Sequence, residues 1–168
     1  DVADRIIILD MALGKGNEKA VLHYADLGKE NQGMGSLVNS QNTVVSEQKT
    51  ISVVTLDNFC ESHGITEIDL IKCDIQGAEL DFIEGGFETL KKMQPDLIME
   101  VSQSDLDAAG KTPLDLIVAL EGLGYKIYAF DKNNVSAKVI ESSSPFLDGI
   151  SLNVFCTKHP MISASDSI

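Results

Sequence analysis

Three observations predict an α/β fold, a sheet with helices on its faces. Short apolar runs rich in branched residues alternate with stretches of helical period. Two of these runs, Ile68–Ile75 and Pro95–Val101, carry a carboxylate near the end, Asp74 and Glu100. Between them Leu80, Ile83, Phe87 and Leu90 repeat at three- and four-residue steps, the period of a helix that packs one face on a sheet. At 168 residues, 43% of them hydrophobic, the chain is one domain's worth and can bury a real core. The domain is read over residues 1–158, and 159–168, with little pattern, as a disordered tail.

Taken in order, Arg5–Leu13 reads as a fully apolar strand of the kind that lies in a parallel sheet covered on both faces. Gly14-Lys15-Gly16-Asn17 reads as a hairpin turn into an alternating antiparallel strand over Lys19–Tyr24. The Gly-Lys-Gly triplet lacks the spacings of phosphate-binding loops and precedes no helix. Residues 25–49 are polar and weakly patterned. A loop of that length is functional or flexible, and its most distinctive run is Asn31-Gln32-Gly33-Met34-Gly35-Ser36-Leu37. Lys49–Leu56 is a further strand and Asp57–His63 a short helix. His63, beside Gly64, suits the negative end of that helix better than a catalytic base. Asp105 and Asp107 read as a solvated loop. Thr112-Pro113-Leu114-Asp115 is a helix start, with a capping threonine and proline at the first position; Leu116, Leu120 and Leu123 form its apolar face and Gly124 ends it. Tyr125–Phe130 is a strand, 131–134 turns it, and Ser151–Thr157 is a last strand able to pair antiparallel with it.

The stretch from Glu67 to Leu80 organises the rest. Asp74 falls near the carboxyl end of its strand, where open α/β sheets bind ligands. A carboxylate before a helix can equally cap it, and spacing alone leaves both readings open.

Three blocks decide more together than apart: Thr55-Leu56-Asp57; Lys72-Cys73-Asp74-Ile75-Gln76-Gly77-Ala78-Glu79; and Pro95-Asp96-Leu97-Ile98-Met99-Glu100. In order and spacing the chain resembles the FkbM-type S-adenosylmethionine-dependent methyltransferases, whose pattern runs T-L-D, K-x-D-x-E-G-x-E, P-x-x-I-x-E. The likeness is dense from Thr55 to Val101 and weaker from Arg5 to Phe130. Gln76 departs from it, standing where the family has Glu; an amide keeps hydrogen bonding but carries no charge.

The resemblance implies a Rossmann-like class I methyltransferase fold, here partial: the first two strands are lacking, and the sheet is mostly parallel with an antiparallel C-terminal strand pair. The glycine-rich cofactor loop and the acidic residue closing the second strand have no counterpart. It implies S-adenosyl-L-methionine as cofactor and O-methylation of a hydroxyl on a small molecule or sugar. Asp74 and Glu100 are the implied catalytic carboxylates, and Asp10, Ala12, Leu13 and Asp74 would lie beside the cofactor. Asn31, Ser36, Lys72, Gln76 and Glu79 are candidates for the substrate side, although Lys72 could simply pair with Asp74 or Glu79. The missing strands belong between the family's third and fourth. The chain would therefore be part of a longer enzyme, or close its sheet directly, or cover the open edge with a second copy. The rival reading is a non-catalytic methyltransferase-like module that binds a protein through that edge. Metal-assisted phosphoryl transfer at Asp74 ranks lower, since the stretch has no D-x-D.

A formal net charge of -13 argues against nucleic-acid or anionic-membrane partners. No apolar run approaches the ~18 residues of a spanning helix, and no signal peptide is evident. Cys60, Cys73 and Cys156 form no C-x-x-C, so neither disulfide nor zinc is expected and a cytoplasmic location is the default.

Overall fold

A computed structural model describes residues 2–25, 35–36, 45–130, 137–145 and 149–159, with the backbone alone described at 23–25, 35–36, 45–47, 130 and 137. Asn31, the turn at 131–134 and most of the tail lie outside them. The elements are β1 (Met11–Leu13), β2 (Glu18–Ala25), β3 (Gly35–Ser36), β4 (Val45–Val54), α1 (Leu56–His63), β5 (Leu70–Cys73), α2 (Glu79–Gly85), α3 (Phe87–Met93), β6 (Asp96–Ser102), α4 (Gln103–Ala108), α5 (Pro113–Gly122), β7 (Lys126–Phe130), β8 (Ala137–Ile140) and β9 (Ser151–Thr157).

They form two sheets, ordered β1-β4-β2-β3 and β5-β6-β9-β7-β8. Only β1–β4 and β5–β6 pair parallel; every other described pair is antiparallel. The expectation of a mostly parallel sheet is thereby corrected. A parallel pair needs a long crossover, and α2 with α3 provides one between β5 and β6. The later strands return without such a crossover: β9 runs back between β6 and β7. The expected antiparallel pairing of β7 with β9 is present, and β8 is an additional strand.

The amino-terminal strand is also corrected. Ile7 and Ile8 are 85% and 91% exposed, and pairing begins only at Met11. Continued in the Met11–Ser52 register, Ile6–Leu9 would run beside Glu47-Gln48-Lys49-Thr50, a polar stretch with no apolar face to cover it. Nor is 14–17 a hairpin turn. Val53 of β4 pairs with Ala12 on one side and Glu18 on the other, so β4 lies between the strands the turn connects.

The main core lies between the five-stranded sheet and the helices, where Leu90, Leu97, Leu106, Leu116, Ile117 and Leu120 are fully buried. Thr112 caps α5 in a reciprocal box with Asp115, as its sequence predicts. The helix expected from Leu80 to Leu90 is broken at Gly86. Leu56 packs where a Cβ of Gly86 would sit, and Phe87, at the start of the second piece, stays 43% exposed under Lys91 instead of joining the buried face. Asp105 and Asp107 lie on α4 and not in a loop.

The first block of the motif is structural. Thr55 Oγ1 accepts from Asn58 N at 3.1 Å and starts α1. Asp57 accepts from Glu88 N at 3.3 Å and Thr89 N at 2.8 Å, tying α1 to the amino end of α3. His63 Nδ1 lies 2.9 Å from Phe59 O, and Gly64 takes the left-handed conformation that ends α1. In the third block, Tyr125 Oη donates to Pro95 O at 2.9 Å, holding β7 to the start of β6.

Candidate functional site

The residues after β5 do not enter α2 directly. Asp74 to Ala78 make a tight loop in which Gln76 (φ 53°) and Gly77 (φ 98°) both take positive φ. Gly77 is required there, since any Cβ would run into the carbonyl oxygen of Asp105 on α4. The loop is held from within by Glu79, only 3% exposed. Its Oε1 accepts from Ile75 N at 3.2 Å, and its Oε2 from Gly77 N at 3.0 Å. Glu79 is thus turned away from solvent, and Asp74 does not cap the helix: Ala78 occupies the N-cap position, with no side-chain bond. Of the two open readings of Asp74, the cap is the one the geometry removes.

That loop frees Asp74 to face β6. Lys72 Nζ donates to Asp74 Oδ2 at 2.7 Å, so Lys72 pairs with Asp74. Gln76 Nε2 donates to Asp74 Oδ1 at 3.2 Å and to Glu100 Oε2 at 3.1 Å. Cys73 pairs with Met99 in the parallel register, so Asp74 and Glu100 follow at the same level of neighbouring strands. Their environments push them apart. The hydrogen bond from Lys72 holds the Asp74 carboxyl below its ordinary range, against a smaller effect of burial. Burial raises Glu100, and the negative charge of Asp74 raises it further. Such a pair divides into a standing anion and a group able to take up a proton.

Asp74 also lines a cavity of about 330 Å³ between the two sheets, whereas Glu100 and Gln76 are not among its wall residues. Ala12 and Leu13 from β1, with Ile51, Ile71 and Phe82, make it apolar, and Lys72 and Asp74 stand at its polar side. This is the size and lining of a small-ligand pocket. Three of the four expected cofactor contacts, Ala12, Leu13 and Asp74, therefore share one cavity. Asp10 lies at the surface in an ion pair with Lys49 at 2.8 Å. Ser36 is described only in its backbone, paired with His23, and Asn31 is outside the described residues. Leu22, Ile51, Ile71 and Phe82 were not picked out from sequence as cavity residues. Branched or aromatic side chains at strand and helix spacing read as ordinary core, and only the gap between the sheets makes them a wall.

Cys73 also borders the cavity, buried, with its thiol pushed well up by burial and next by Glu79; it is a neutral wall group. Among the described residues no group of three or more His, Cys, Asp or Glu is placed to hold a metal ion, and no helix is long and apolar enough to cross a membrane.

The raised and lowered carboxyls give stability a defined pH response. Glu79 and Glu100 sit above their ordinary value of 4.5, mainly through burial, so the fold favours their protonated forms. Their contribution is present in acid and lost as pH rises from 4.5 through the folded values. Asp74 has the opposite sign: lowered from 3.8, it stabilises above that pH and the benefit is lost as pH falls through its folded value. Denaturant stability should therefore decline as pH rises above 4.5, and less steeply in Glu79→Gln, whose amide cannot ionise. Parallel slopes for the two proteins would show that Glu79 does not titrate with folding.

An α/β domain with carboxylates level on adjacent parallel strands, one of them, Asp74, lining an apolar cavity, has the arrangement in which open α/β sheets take a ligand. More particularly, the chain belongs to the FkbM methyltransferase family: the methyltransferase FkbM domain matches residues 3–127. It is 35% identical over 127 residues to the 2-O-methyltransferase NoeI of Sinorhizobium fredii (strain NBRC 101917 / NGR234), covering 70% of this chain and 51% of that protein. The chain thus spans about half the length of the curated relative it matches. No solved structure matches it.

Proposed function

We propose that this chain is part of an S-adenosylmethionine-dependent O-methyltransferase, holding the later strands of its domain, whose acceptor is a hydroxyl on a small molecule or sugar. The observation that carries the reading is the acidic pair, Asp74 and Glu100, joined through Gln76, with Asp74 lining the apolar cavity. Membership of the family supports methyl transfer, and the relative's name, a 2-O-methyltransferase, supports oxygen as the acceptor atom. The residues present suit the cofactor: Leu13, Ile51, Ile71 and Phe82 offer apolar walls for a flat ring, and the Asp74 anion suits a sulfonium cation. Bound there, S-adenosylmethionine supplies a methyl group that an acceptor oxygen takes as the carbon–sulfur bond breaks, while the hydroxyl loses its proton.

This chain's own residues would align and deprotonate. Asp74, fixed by Lys72, keeps a negative charge at the cavity mouth without itself being a strong base. Glu100, raised by burial and by Asp74, is the better group to receive the hydroxyl proton. Most of the rate advantage comes from holding the reacting atoms in line. Among the described residues β1 and β5 are each an edge strand, and the cavity lies between them.

Calorimetric titration of S-adenosylmethionine and S-adenosylhomocysteine tests this. We expect weak or no binding by the 168-residue chain and micromolar binding by a polypeptide of the relative's full length. No binding by either would end the cofactor reading. The open β5 edge, where Leu70 is 53% exposed, favours one second reading, a protein-binding module. It gains if the longer polypeptide is folded yet inert and the chain self-associates or captures a partner through that edge.

A further inference from the structure

Reading Asp74 and Glu100 as the reacting pair leaves open what sets their geometry. Gln76 is one of two described non-glycine residues with positive φ, at 53°. A long side chain is uncommon there and persists only where its surroundings over-determine it. Those surroundings are visible: Glu79 grips the backbone N–H groups of Ile75 and Gly77 on either side, and Gly77 lies against Asp105. The conformation turns the Gln76 amide back over the strand ends, where one NH2 group reaches carboxylates from two strands, at 3.2 and 3.1 Å. An amide has two hydrogens to donate; an ionised carboxylate in its place has none.

We propose that Gln76 is a positioning residue whose amide clamps Asp74 and Glu100 into one aligned acidic pair, a bridge particular to this chain that the glutamate of the family pattern, with no hydrogen to donate when ionised, does not make. The inference rests on the functional reading above, but its test does not need cofactor. Lys72 and Asp74 at the end of β5, Glu79 on α2 and Asp105 on α4 are the charged groups acting on Asp74 or Glu100, and only Lys72 is cationic. Within so acidic a cluster a neutral donor relieves repulsion that a third carboxylate would increase.

The carboxyl carbons of Asp74 and Glu100 should be titrated by NMR in the wild-type protein and in Gln76→Gly, Gln76→Asn and Gln76→Glu. Glycine suits the left-handed backbone, so Gln76→Gly deletes the clamp with no loss of melting temperature. Asn tolerates that backbone but is one methylene short. In the wild type, Asp74 should titrate below 3.8 and Glu100 above 4.5. Gln76→Gly and Gln76→Asn should both raise the two midpoints by about half a pH unit or more, and Gln76→Glu should raise Glu100 further. In an active enzyme the acidic limb of the rate profile should move with Glu100, while Km for the cofactor changes little. Titrations of folded Gln76→Gly and Gln76→Glu that superimpose on the wild type would overturn the clamp. Absence of methyl transfer by a folded polypeptide of the relative's full length would instead overturn the functional reading and leave the titration result standing.

Discussion

Asp74→Asn is expected to lower methyl transfer in the full-length enzyme by about 10²-fold or more, the usual cost of removing one preorganised electrostatic group from a reacting centre. The asparagine keeps an oxygen to accept from Lys72 and occupies the same volume, so what is lost is the charge and the bond accepted from Gln76 Nε2. The fold has little reason to change. Asp74 caps no helix, its side chain is partly exposed, and the loop behind it is held by Glu79 and Gly77. The informative readout is therefore turnover at saturating cofactor and acceptor, compared with a thermal melt of the same preparation. A folded Asp74→Asn protein that keeps more than a tenth of wild-type turnover would remove Asp74 from the chemistry. Glu100→Gln should cost less at high pH than at neutral pH, because the hydroxyl can then lose its proton to solvent.

The second large effect concerns the scaffold. Gly77→Ala should destabilise the protein by about 2–5 kcal/mol, combining the cost of a left-handed alanine with that of forcing a methyl group into packed backbone. At φ 98° the added Cβ would run into the Asp105 carbonyl, so either α4 must move away or the loop must unwind. Either movement disturbs Glu79, which holds Gly77 N, and with it the placement of Gln76. Gly64→Ala is the internal control. It too has positive φ, at 63°, but open space around it, so it should cost only about 1 kcal/mol. Equal chemical-denaturation midpoints for the two variants would show that contact with α4 contributes nothing.

The motif blocks were legible because each is a local signal. A threonine three residues before the N–H it accepts from, a proline after a cap, and a glycine at a helix end act within one turn of chain. So Thr112 and Gly64 were assigned their places by sequence, and strands β5 and β6 by short branched runs; Thr55 was read as part of the preceding strand, and the structure makes it the cap of α1. Non-local partners were not legible. Nothing in Ile6–Leu9 tells that pairing with β4 begins only at Met11, and so it reads as buried when it is exposed. Asp57 lies in a first helical turn where any carboxylate is welcome, yet its partners are the N–H groups of Glu88 and Thr89, some thirty residues on.

The same division holds at the site. Sequence alone placed Asp74 and Glu100 at the ends of strands and put Lys72 two residues before Asp74, because alternation and strand length are properties of the local chain. It also supplied the family. What only the tertiary structure decided is how those ends meet. Parallel pairing of Cys73 with Met99 brings the carboxylates level, the left-handed turn at Gln76 swings an amide between them, and burial sends Glu79 inward to hold the loop. Register, burial and the gap between two sheets depend on residues far apart in the chain. The charges that tune Asp74 and Glu100 in opposite directions therefore exist as a site only once the fold has formed.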